Sequence, residues 1–206
     1  MPNLESLRER FEAVKAKNVQ LNLQRGQPSD ADFDLSNAML TAVAEPDLVT
    51  PSGIAIRNYP GGVAGLPEAR ELFADVLGVK PSEMMVGNNA SLMLMSHVLI
   101  WGMLRGLKNS ERPWKDGPVK FIVTVPGYDR HFKLLETLGI EMVSVPMTGD
   151  GPDVDAIEAL ASSDAAIKGL FFVPTYSNPT GETISDEKVK QLVAMETAAP
   201  DFTILA

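Results

Sequence analysis

Between residues 83 and 206, short Val/Ile/Phe-rich runs alternate with longer helical patterns, and this alternation limits the possible folds more than any other feature. The runs "EMMVGN" (83–88), "KFIVTVPG" (120–127), "EMVSVPM" (141–147), "KGLFFVP" (168–174) and "DFTILA" (201–206) predict strands. Between them, "ASLMLMSHVLIWGMLRGL", "YDRHFKLLETLG", "DVDAIEALAS" and "SDEKVKQLVAMET" predict helices. Strands that take turns with helices of about ten to fifteen residues build a parallel sheet with helices on both faces. The strands are almost continuously apolar, as strands buried on both sides must be. The fold class is therefore α/β.

Upstream, Leu4, Leu7, Phe11 and Val14 recur at steps of three and four, which predicts an amphipathic helix over 3–17. "LNLQRGQPSDADFDLS" reads as a polar loop punctuated by Gly and Pro. "SNAMLTAVAEPDLVTPSG" begins with Ser36 as a candidate cap and ends at prolines. In "NYPGGVAGLPEARELFADVLGV" a glycine-rich loop precedes a helix with Leu66, Ala69, Leu72, Phe73 and Val76 as its buried stripe and Gly78 as its stop. Residues 1–50 read as an N-terminal helix and arm, and 51–206 as a larger α/β domain.

Composition removes several function classes. With 45% hydrophobic residues and mean hydropathy near zero, the 206-residue chain reads as globular. It has no apolar stretch of membrane-spanning length and no secretory leader, so a cytoplasmic location is expected and no membrane partner. A net charge of −9 argues against nucleic acid, whose phosphates need a basic face. The absence of cysteine removes disulfides, thiolate metal sites and cysteine nucleophiles. His97 and His131, far apart in sequence, make a histidine metal site improbable.

In open α/β sheets, ligands bind outside the carboxyl ends of the strands. That rule selects "GNNAS" (87–91), "PGYDRH" (126–131), "PTYSNPTG" (174–181) and whatever follows Ala206. Small residues at 87–91 let a backbone approach an anion at a helix start, although a plain capped turn has the same pattern. Tyr128 can stack on a planar ligand or simply cover its own core. His131, three residues on, is more often a structural hydrogen-bonder than a catalyst in such a position. Asn178 can donate and accept at once, or it can form an Asx turn before Pro179. Tyr59 stands in a loop with glycines at 61, 62 and 65.

Taken together, "NYPGGVAGLPEARELF" and "YSNPTG" resemble segments of the fold-type I pyridoxal-phosphate aminotransferases. Longer phrases, including "NSERPWKDGPVKFIVTVPGYDRHF", "GIEMVSVPMTGDGPD" and "VPTYSNPTGETISDEKV", resemble the aspartate aminotransferase subgroup of MocR type, from about Leu21 to Ala206. The resemblance implies a partial transferase large domain and the cofactor pyridoxal 5'-phosphate. It implies that Asn89, Ala90 and Ser91 hold the phosphate, that Tyr128 stacks on the ring, and that Asn178 bonds the ring oxygen and orients the substrate carboxylate. Tyr59 would reach the cofactor of a second subunit in a homodimer, and Gly26 would belong to the segment closing over the substrate. Pro126 and Pro179 match positions that are often cis. Ala90 departs from the family by lacking a hydroxyl.

The substrates implied are an amino acid, aspartate or a similar one, and a 2-oxo acid. The family's Schiff-base lysine, ring-nitrogen aspartate and carboxylate-binding arginine have no counterpart here, so no catalytic residue is assigned. Lys168, for instance, stands at the wrong end of its strand. The expectation is an N-terminal half that is inactive and poorly soluble by itself. Two alternatives are a non-catalytic relic or partner module of the same fold, and a regulator carrying an aminotransferase-like domain.

Overall fold

The computed structural model describes residues 3–20, 26–43, 48–57, 59 and 62–206. The chain divides into two compact units, Met1–Met85 and Val86–Ala206.

In the first unit, α1 (Leu4–Ala16) begins where the Asn3 side chain accepts from the Ser6 amide at 2.8 Å. Asp30–Asp34 (α2) is helical rather than loop, because the Asp32 carboxylate accepts from the Ser29 amide at 2.8 Å and from its hydroxyl at 2.7 Å, fixing the helix start. Among the described residues, the expected helix after Ser36 is a 3-10 turn, Asn37–Thr41, with 44–47 lying outside them, and the Ser36 hydroxyl bonds back to the Phe33 carbonyl instead of capping forward. Residues 21–25 of the predicted loop lie outside the described residues. α3 (Pro67–Leu77) stops at Gly78, as expected, with φ at 67°. Its predicted buried stripe is not buried: Leu72, Phe73 and Val76 are exposed and only Ala74 is enclosed. Periodicity marks a face that wants cover, and within this unit nothing described covers it. Arg70 ties the helix to the next segment by donating to the carbonyls of Met84 and Pro81.

The predicted strand "EMMVGN", whose residues 86–88 open the second unit, does not form. Residues 84–88 are irregular, and Asn88 takes a left-handed φ of 60° that no regular strand tolerates. α4 (Ser91–Arg105) follows. Then come β1 (Lys120–Val125), α5 (Asp129–Thr137), β2 (Glu141–Pro146), α6 (Val154–Ser163), β3 (Ile167–Phe171), α7 (Asp186–Ala194) and β4 (Thr203–Leu205). All described strand pairs are parallel, in the order β2-β1-β3-β4. Side chains alternate across the sheet. Phe121 and Val123 face Leu99 of α4 and Leu135 of α5, while Ile122 faces Ile157 of α6 and Leu192 of α7. Full burial of such side chains stabilises by about 1.5–3 kcal/mol each.

Gly169 is required where β3 meets its neighbours. A Cβ there would lie 2.2 Å from the Thr203 carbonyl oxygen and 2.6 Å from the Phe121 ring. At the amino ends of the strands, buried Asp201 gathers three donors: Ser110 at 2.5 Å, Trp114 Nε1 at 2.7 Å and Lys168 Nζ at 2.9 Å. Burial by itself would raise this carboxyl, but the three hydrogen bonds outweigh it and hold it below the usual value.

Removing Asp201 leaves Lys168 charged, mostly enclosed and unpaired. Asp201→Ala is therefore expected to lower stability by about 3–5 kcal/mol, read from the urea midpoint of tryptophan fluorescence. Lys120→Ala breaks the more exposed pair with Asp164 and is expected to shift the urea midpoint far less than Asp201→Ala does.

Candidate functional site

The strand order reverses at β1 and β3. β1 connects onward to β2 on one side, and the chain then crosses to β3 on the other. A crevice at the carboxyl ends of such a pair is where open sheets bind ligands. Two of the loops selected from sequence leave from these two strands.

The β1 loop passes through a cis Val125-Pro126 bond to Tyr128, which precedes the first turn of α5. Tyr128 is half-buried. Its ring meets His131 edge-on at 5.1 Å, and His131 lies flat on Phe171, the last residue of β3, at 3.9 Å and 12°. A short aromatic column thus joins the end of β1 to the end of β3. His131 faces this loop and is held there by ring contacts. Burial pushes its pKa down to about 4, so it is neutral near pH 7.

The β3 loop closes on itself as a hairpin. Ile184 N–H donates to the Pro174 carbonyl at 2.8 Å, and Ser177 N–H to the Glu182 carbonyl at 2.8 Å. Tyr176, at φ 50°, donates its amide to the Thr183 hydroxyl. Asn178 stands exposed at the tip, with a cis bond to Pro179.

The third loop, Gly87-Asn88-Asn89-Ala90, opens α4. The Asn88 side chain accepts from the Asn89 amide at 2.7 Å. Ala90 occupies the N-cap and offers no side-chain acceptor. The first amides of a helix have no partner within it, so this exposed end keeps its donors and its positive dipole for an outside anion. The far end of α4 lies by the amino ends of the strands, since Gly102 touches the Trp114 ring. Its first turns border a cavity of about 310 Å³ shared with Arg130 and Lys133 of α5. Asn89–Ser91, Tyr128 and Asn178 therefore belong to one edge of the second unit.

Gly26 and Tyr59 belong to the first unit. Both are exposed, Tyr59 at 99%. Lys168 lies at the amino end of β3 in its pair with Asp201, and Lys120 at the amino end of β1 against Asp164, so both point away from the carboxyl edge. Among the described residues, no three His, Cys, Asp or Glu side chains are grouped to hold a metal, and no helix is long and apolar enough to cross a membrane. Sequence reasoning missed the turn at 147–152 and Glu182, which grips it. Gly149 and Gly151 in "TGDGP" were the available signal.

His131 makes stability depend on pH. The unfolded chain takes up a proton near 6.5 and the folded chain only near 4. The stabilisation is complete above about pH 6.5 and is lost as pH falls toward 4, on the order of 3 kcal/mol in all. His131→Phe, which preserves the stacking, is expected to remove this component from a plot of urea midpoint against pH. An unchanged slope would contradict it.

The family profile described as aspartate amino-transferase matches residues 2–206. The chain is similar to the aspartate aminotransferase of Corynebacterium glutamicum, with 43% identity over 202 residues, 98% of this chain and 46% of that protein. A crystal structure of an aspartate transaminase from the same organism superimposes with TM-score 0.89 at 42% identity, covering 97% of this chain and 47% of that one. The α-aminoadipate aminotransferase of Thermus thermophilus, solved with N-(5'-phosphopyridoxyl)-L-leucine, shares the fold at TM-score 0.58 and 21% identity, over 82% of this chain and 39% of that one. The chain spans about half the length of the curated relatives it matches. With a parallel α/β sheet, polar loops at its carboxyl edge and a profile match along nearly its whole length, the chain belongs to the aspartate amino-transferase family.

Proposed function

We propose that the carboxyl edge of the second unit holds pyridoxal 5'-phosphate, and that the whole protein moves an amino group from an amino acid to a 2-oxo acid. One observation carries the reading: Tyr128 and Asn178 leave adjacent parallel strands at the same edge as the uncapped start of α4. The residues fit the group. The α4 amides and the Ser91 hydroxyl suit a phosphate, and the missing Ala90 hydroxyl is offset by backbone donors. The half-buried Tyr128 suits an aromatic ring, because His131 and Phe171 brace it from behind. Asn178 offers an amide for a ring oxygen and for the substrate carboxylate.

When bound, the cofactor supplies a carbonyl that takes up the amino group and a ring that draws electrons from the substrate's α-carbon. The chain's own part is to orient that ring and fix its phosphate, so that little motion is left at the reacting bond. Tyr59 is assigned to the phosphate of a second subunit in a homodimer, and Gly26 to the segment over the substrate. Likeness to the Corynebacterium glutamicum aspartate aminotransferase supports aspartate or a similar acidic amino acid as donor. A cytoplasmic location accords with these substrates.

The test is titration of the chain with pyridoxal 5'-phosphate, followed by quenching of Trp fluorescence. Asn178→Ala and Tyr128→Ala are each expected to weaken binding by about tenfold or more, the loss of roughly one good contact. Equal binding by wild type and both variants would overturn the assignment. Because no lysine here matches the family's Schiff-base position, the chain by itself is expected to give no amino transfer from aspartate. Turnover that survives purification would contradict this.

A further inference from the structure

The hairpin carrying Asn178 is gripped from outside by the turn that follows β2. One carboxylate oxygen of Glu182, Oε2, accepts from the Gly149 amide at 2.8 Å and the Gly151 amide at 3.4 Å. Both glycines have positive φ, 98° and 117°, and the turn aims these two alternate amides at one point. Such an arrangement is a nest for an anion. Further contacts fix the turn in place. Ser185 N–H donates to the Asp150 carbonyl at 3.0 Å, and Lys188 Nζ lies 2.6 Å from the Asp150 carboxylate. The fit is close, since a Cβ on Gly151 would lie 2.9 Å from Ile184 Cγ1. Within the hairpin itself, the Glu182 carbonyl holds the Ser177 amide, one residue before Asn178. Glu182 is thus bonded to the tip by its backbone and to the rest of the sheet by its side chain.

We infer that Glu182 is a positioning residue, whose carboxylate in the Gly149/Gly151 nest sets where Asn178 meets the cofactor. The inference rests on the cofactor reading above. Glu182 touches neither cofactor nor substrate; it acts through the hairpin. Without its side chain the hairpin keeps its internal bonds and its ties at Ile184 and Ser185 but loses the one nearest the tip, and Asn178 samples positions off the ring.

Two measurements on the full chain test this. Hydrogen exchange without cofactor reads the clamp, and pyridoxal 5'-phosphate titration reads its consequence. Glu182→Ala is expected to speed exchange at residues 149–151 and 174–184 by about tenfold and to weaken cofactor binding by a similar factor, as the loss of charge-assisted hydrogen bonds implies. Glu182→Asp withdraws the charge by one methylene and is expected to behave alike, which keeps the test open if the Ala variant does not fold. Glu182→Gln retains an acceptor oxygen for both amides and is expected to stay within about twofold of wild type, a rescue that mere loss of folding would not give. Unchanged exchange in the Ala and Asp variants overturns the clamp. Faster exchange with unchanged cofactor affinity overturns the positioning role. If wild type binds no cofactor, the cofactor reading fails, while the exchange result still decides whether Glu182 holds the hairpin.

Discussion

Gly169 lets β3 lie flush against β1 and β4, with the Phe121 ring filling the space a side chain would take. That pairing sets the register by which Tyr128 and Asn178 come to one edge. It also lines up the two faces of the core, Phe121 and Val123 toward α4 and α5, Ile122 and Leu170 toward α6 and α7. The aromatic column from Tyr128 through His131 to Phe171 runs across the same pair of strands. The proposed ligand edge is therefore built on the two central strands of the sheet rather than on its outer ones.

The two ends of the sheet are chemically unlike. At the amino ends, charge is paired: Asp201, enclosed, with Lys168, Trp114 and Ser110, and Lys120 with Asp164 nearer the solvent. Such networks hold the strands in order and leave little free valence. At the carboxyl ends, polar groups are exposed and only partly committed. Asn178, the Ser91 hydroxyl and the first α4 amides are of this kind. Groups left available at one end of a sheet, while the other is tied down, are what a binding edge requires.

Much of the second unit was legible in the sequence because its strands are buried on both faces, and four of the five predicted form. "EMMVGN" failed because apolarity alone cannot supply a neighbouring strand, and Asn88 turns the backbone the other way. The α3 stripe was legible as a pattern but not as burial, since exposed Leu72 and Val76 depend on whatever covers them. The site loops were legible as positions, being strand ends followed by polar and aromatic residues. What joins them was not. Glu182 reaches a turn more than thirty residues earlier, and Asp201 bonds Ser110 across ninety-one positions, distances at which local pattern carries no signal. Gly26 and Tyr59 owe their assigned roles to family resemblance alone.

The central claim is that the carboxyl edge between β1 and β3 takes pyridoxal 5'-phosphate. Crystals of the chain grown with the cofactor test it most directly. The account predicts difference density with the phosphate against Asn89–Ser91, the ring over Tyr128 and its oxygen within hydrogen-bonding distance of Asn178. Density instead at the amino-end cavity bordered by Arg112, Lys168 and Asp201, or a ring turned away from Tyr128, would contradict it.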